Sequence, residues 1–72
     1  MSSSVSFADI ERMLKKCAPG HTITRTTHGR KIHFNNLLFR DLPKFNDIEI
    51  GHVRKMARHL GILACAKREG VA

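Results

Sequence analysis

Two runs of strand-forming residues stand on either side of His28-Gly29, and they constrain the fold of this chain more than anything else in it. His21-Thr22-Ile23-Thr24-Arg25-Thr26-Thr27 is rich in β-branched residues, and Arg30-Lys31-Ile32-His33-Phe34-Asn35 alternates in polarity. Two such runs around a short glycine-containing turn predict a β-hairpin. In the second run Ile32 and Phe34 share one face while Lys31, His33 and Asn35 share the other, so one face is apolar and the other basic and polar. The same alternation puts His21 and Arg25 on the face of Ile23; if Ile23 is buried, His21 is less free than His33. Asn35-Asn36 reads as a second turn, and Leu37-Leu38-Phe39-Arg40-Asp41-Leu42 as a third strand stopped by Pro43.

Helical patterns flank this centre. Ser6-x-x-Asp9 resembles a capping box, with Asp in place of Glu or Gln. Phe7, Ile10, Met13 or Leu14, and Cys17 then follow at helical spacing, with Glu11, Arg12, Lys15 and Lys16 opposite, until Pro19-Gly20 ends the helix. After a connecting loop at 44–48, Val53, Met56, Ala57 and Leu60 form a second apolar stripe. Gly61 is placed to cap that helix, with Ile62 folding back on its last turn. His52, Arg54, Lys55, Arg58 and His59 take the outward face. The predicted order is α-β-β-β-α: an α+β fold, a three-stranded antiparallel sheet with two helices on one face. The other sheet face stays wet and holds much of the basic and His content. With 72 residues there is room for one domain, expected at 6–62. The Ser-rich residues 1–5 are expected to be disordered. In the tail, 63–72, Leu63-Ala64-Cys65-Ala66 can pack, whereas 67–70 reads as solvated.

Thirteen Lys and Arg against six Asp and Glu give a formal charge of +7, with five His besides. Between Lys15 and Arg58 there are ten basic residues and three acids, Asp41, Asp47 and Glu49. Such an excess favours polyanions, nucleic acid first, with an anionic membrane surface or an acidic protein as other partners and plain solubility as the bland reading. No apolar run approaches the ~20 residues that cross a bilayer. The N-terminus has neither the basic start nor the apolar stretch of a secretory signal. Cys17 and Cys65 are too few for a disulfide scaffold and lack metal-type spacing. The default is a reduced, cytoplasmic protein with Cys17 in the core, no metal site and no small-molecule cofactor. Without Trp or Tyr, and with four Phe needed by the core, base stacking on an aromatic platform is disfavoured.

The chain resembles the HicA toxin family, small bacterial mRNA interferases with a fold like the double-stranded-RNA-binding domain (dsRBD). The likeness spans about residues 7–62. Leu14-Lys15-Lys16-Cys17 is followed by Gly20 and a strand with Arg25; His28-Gly29-Arg30-Lys31-Ile32-His33 forms the hairpin; a third strand closes on Pro43-Lys44. Asp47-Ile48-Glu49-Ile50-Gly51-His52-Val53-Arg54-Lys55-Met56-Ala57-Arg58-His59-Leu60-Gly61-Ile62 is similar in length and pattern to the family's last helix. The family usually has Gly-Ser-His, carrying its catalytic His, at the turn entering the second strand. Here that turn reads Thr27-His28-Gly29-Arg30-Lys31, so the His is displaced and the triplet absent. A second register matches Pro19-Gly20-His21 to the triplet and makes His21 the candidate. The resemblance implies an mRNA-cleaving endoribonuclease, a hydrolase silenced by a HicB-type antitoxin that covers the His-bearing face.

Cleaving RNA without metal needs a base for the ribose 2′-OH, an acid for the leaving oxygen, and cations for the phosphorane. Imidazole suits the first two because it titrates near neutrality, and Lys and Arg suit the third. His28, His33 and His21 are therefore the candidate catalytic residues, each of which also reads as a solvated polar residue. Arg25, Arg30, Lys31, Arg54, Lys55 and Arg58 are candidates for phosphate contacts, the last three being equally the wet face of an amphipathic helix. A non-catalytic nucleic-acid-binding protein on the same scaffold, phage-derived or from a mobile element, is the alternative. A helix-turn-helix DNA binder is disfavoured by the β-rich centre.

Overall fold

A computed structural model describes residues 3–72. The first helix, α1 (Phe7–Cys17), starts where the sequence asks it to: the Ser6 hydroxyl accepts a hydrogen bond from the Asp9 N–H at 3.2 Å. That satisfies one of the donors a helix leaves unpaired at its N-terminus. The Asp9 carboxylate does not close a reciprocal box; it pairs with Arg12 at 3.2 Å instead. Ile10, Met13 and Leu14 are buried, as their spacing requires, and the Ala18 N–H closes the last turn on the Leu14 carbonyl at 2.7 Å. Gly20 then turns the chain at φ +89°.

The expected meander follows, with β2 (Thr22–Arg25), β3 (Arg30–Phe34) and β4 (Leu37–Leu42) paired antiparallel in the order β2-β3-β4. Thr26 makes the tight hairpin turn. Its N–H reaches the Gly29 carbonyl at 2.8 Å, and its hydroxyl accepts from the Gly29 N–H at 3.1 Å. At the other turn Asn35 takes φ +56°, a left-handed conformation that Asn tolerates better than most residues. Ile23, Ile32 and Phe39 lie directly opposite one another across the three strands. Opposed residues share a face, so this row points to the helices. The pairing shifts between Arg30 and Ile32, where Arg30 faces Leu42 and Ile32 faces Phe39. That bulge lets both Leu42 and Phe39 point inward.

The second long helix, α2 (Ile50–His59), buries Val53, Met56 and Ala57 against the same sheet face. Its end matches the expectation closely. Gly61 adopts φ +75°, its N–H bonds the Arg58 carbonyl at 3.2 Å, and the Ile62 N–H returns to the Ala57 carbonyl at 2.8 Å. These are the paired bonds of a Schellman motif, and Ile62 is buried beneath it.

Two expectations need correction, and the tail gains definition. Residues 4 and 5 are not disordered: β1 (Ser4–Ser6) pairs antiparallel with β5 (Asp47–Glu49), whose first two residues fall in the segment read as a loop. Residues 1–2 lie outside the described residues. Ile48 is the reason for the ladder, because its burial at the core's edge holds β5 where Val5 can pair with it. The tail forms α3 (Leu63–Arg68), in which Ala66 packs while 67–70 stay exposed, as the sequence reads, and it ends in a second glycine cap at Gly70, with Val71 buried beyond it. Finally, Cys17 is not a free core thiol. It is disulfide-bonded to Cys65 on α3, with Cα atoms 5.7 Å apart and 48 residues between them in sequence. The two cysteines come together only because α3 folds back on the end of α1, a contact that no spacing reveals.

Candidate nucleic-acid interface

The meander has one covered face and one open face, and they sort the basic residues. Thr22, His33 and Leu38 form one row across the sheet, and Thr24 opposes Lys31 in the next. These rows alternate with the buried row of Ile32, so they point away from the helices. Arg40 and Asp41 stand together at the bulge opposite Lys31. All are exposed except the half-buried Lys31. Lys31 and His33 therefore lie where the alternation places them, on the wet face, and Arg40 is a cation there that the sequence reading passed over.

Arg25 and Arg30 belong to the other side. They are cross-strand partners at the hairpin end of the sheet, on the face of Ile23 and Ile32. Arg25 is exposed, but Arg30 keeps only 4% of its surface. Its Nη1 donates to the Pro43 carbonyl at 2.7 Å and to the Phe45 carbonyl at 3.0 Å, and its guanidinium lies 3.7 Å from the centre of the Phe7 ring. Arg30 thus bolts the loop after β4 to the hairpin and to the first turn of α1. Burial and the neighbouring Arg25 charge both pull its pKa below the ordinary arginine value, with Glu11 opposing them. It remains a cation, and a structural one, rather than a free phosphate-gripping side chain on the surface. The period-two pattern already carried this signal, because Arg30 is in phase with Ile32 and Phe34.

The three candidate histidines are not brought together. His21 is half-buried, and its Nδ1 lies 2.9 Å from the Ala18 carbonyl. A carbonyl only accepts, so Nδ1 carries the hydrogen and, in the neutral ring, Nε2 is left with the lone pair. His33 sits beside Thr22 at the same end of the hairpin but on the opposite face, exposed. His28 is exposed in the turn at the far end, beyond the four residues of β2, roughly 13 Å of strand. No two of these imidazoles share one reaction centre. Each would need Lys, Arg or a water as its partner in acid-base chemistry.

On α2, Arg54, Lys55 and Arg58 are exposed as expected, His52 is half-buried, and His59 packs its ring 5.9 Å from that of Phe39. Among the described residues two ion pairs form, Arg12 with Asp9 and Lys16 with Glu69, both on helices. The cations of the sheet and the hairpin end have no such partner. Lys44, in the loop after β4, joins them: a cleft of about 300 Å³ is lined by Arg25, Thr26, Gly29, Arg30, Lys44 and Asn46. The described residues contain no group of three or more His, Cys, Asp or Glu placed to hold a metal, and no helix long and apolar enough to cross a membrane. No protein family, curated protein or solved structure matches the chain.

Proposed function

We propose that this protein binds RNA through the hairpin and its open sheet face. The observation that supports it most is the set of cations gathered at the hairpin and on the open face: among the described residues, Lys31, Arg40, Arg25 and Lys44 take part in no ion pair. Unpaired cations on the open face and around the hairpin end suit a phosphate backbone. Recognition of this kind reads shape and phosphate spacing more than base edges. The test is titration of RNA duplex and single strand into the protein over a range of salt. The expected result is binding whose logarithm falls linearly with the logarithm of salt, and salt-independent binding or none at low salt rejects the reading.

A second reading adds chemistry to the binding: a HicA-like mRNA interferase, acting in the cytoplasm and silenced by a HicB-type antitoxin that covers the His-bearing surface. The His21 geometry favours it. Its Nδ1–H is held by the Ala18 carbonyl, which fixes the ring and leaves Nε2 as the proton acceptor. Expression of the wild type is then toxic and degrades mRNA, and His21→Ala abolishes both while leaving RNA affinity within about twofold. If His28→Ala or His33→Ala does so instead, the other histidine carries the chemistry. Intact RNA and normal growth at high protein levels leave binding as the whole function.

A further inference from the structure

Arg30 carries a charge that the protein compensates only in part: Glu11 favours it from a distance, and no carboxylate pairs with it among the described residues. It is a nearly fully buried guanidinium that takes part in neither ion pair of the described residues, and its hydrogen bonds go to two neutral carbonyls. Directly across the strands stands a second cation, Arg25. Like charges directly opposite in a sheet destabilise it, and a buried charge with no directly paired counter-ion is costly. Both side chains line the 300 Å³ cleft, and Lys44 lines it as well. No acid lines that cleft. Thr26 and Asn46 supply its neutral polar groups. A second hollow of about 410 Å³ shares Arg25, Arg30 and Asn46 and runs on along Ser6, Phe7, Ala8 and Glu11.

We propose that Arg25, Lys44 and the buried Arg30 form a binding site for a phosphate group, seated in the cleft between the hairpin turn and the loop after β4. Arg25 and Lys44 contact the anion from the rim, and Arg30 supplies a fixed positive charge from beneath. Held by Pro43, Phe45 and the Phe7 ring, Arg30 has no rotamer freedom left to lose on binding, which favours affinity. On the RNA reading above, on which this identification of the ligand rests, the phosphate is one of the backbone, and the neighbouring hollow gives the adjoining nucleotide room along α1. Free inorganic phosphate has the same chemistry and is the other source.

Two probes test the site: inorganic phosphate, followed by backbone amide NMR shifts, and an RNA oligonucleotide, followed by affinity at several salt concentrations. The proteins are the wild type, Arg25→Gln/Lys44→Gln, and Lys67→Gln on α3 as a control for lost charge. Phosphate is expected to shift the amides of Thr26, Gly29, Lys44 and Asn46 in the wild type and in Lys67→Gln but not in the double variant. RNA affinity at low salt is expected to fall about tenfold in the double variant, with a salt slope shallower by about 1 to 2, against little change in the control. Equal RNA binding by all three proteins, with no localised shift from phosphate, overturns the site while leaving RNA recognition standing on the open face. Localised phosphate shifts without any RNA binding keep the site, assign it to a free phosphate, and reject the RNA reading. An Arg30 variant is unsuitable for this comparison because it also removes the bolt that holds the loop.

Discussion

Gly29 and Arg30 are neighbours that fix the hairpin end in two different ways. A Cβ on Gly29 would stand 2.5 Å from the Leu42 carbonyl oxygen, a backbone atom that cannot step aside. Gly29→Ala is therefore expected to cost about 2 kcal/mol, read from urea denaturation, because overpacking here has to move β4 itself. Arg30→Met removes charged hydrogen bonds to two carbonyls and leaves them without a donor. The expected loss is again about 2 kcal/mol. Added phosphate should raise the wild-type denaturation midpoint and leave that of Arg25→Gln/Lys44→Gln unmoved, since a ligand stabilises only the state that binds it. Asn35 works on a smaller scale. With φ at +56°, Asn35→Val is expected to cost about 1 to 2 kcal/mol and Asn35→Gly nothing.

The two long helices have strong local signatures, so disrupting those signatures should have predictable effects. Ser6→Ala removes the hydroxyl that receives the Asp9 N–H and should cost about 1 kcal/mol in thermal or urea unfolding. Elements of this kind were legible in the sequence because a helix advertises itself over three turns, through the spacing of Ile10, Met13 and Leu14 or of Val53, Met56 and Ala57. The hairpin was legible through its alternation, which also placed Lys31 and His33 on the open face. The short elements carry no such repetition. Ser4–Ser6 and Asp47–Glu49 span three residues each, too few for a period to show, and their pairing depends on where Ile48 is buried. α3 has six residues and was read only as a stretch that could pack. As for the candidate site, the cations could be listed by residue type, but their sorting into open face, rim and interior depended on a bulge and on Pro43 and Phe45 curling over Arg30. Lys44 was missed because a loop position acquires meaning only from the elements it falls between.

At the scale of the whole molecule, the protein is flat, with extents of 34 × 29 × 18 Å. The thin dimension is that of one sheet backed by one layer of helices, which leaves the other side of the sheet uncovered. The disulfide sits at the margin of this slab, where it fastens the end of α1 to α3 beside the Lys16–Glu69 ion pair. Closing a separation of 48 residues is worth about 4 kcal/mol in the chain-entropy view. Cys17→Ser/Cys65→Ser, or the wild type in reductant, should accordingly melt at a clearly lower temperature, and scanning calorimetry with and without dithiothreitol measures the difference. RNA affinity below the melting range should be the same in both forms.

That last expectation follows from the run of α1. Its first residue, Phe7, carries the ring beneath Arg30, and its last, Cys17, carries the covalent staple, so the two stand at opposite ends of an eleven-residue rod, about 15 Å long. Thiol chemistry at one end can loosen or tighten the molecule without disturbing the electrostatics at the other. Durability and grip can thus be adjusted independently, by a cell's redox state on one side and by its salt on the other.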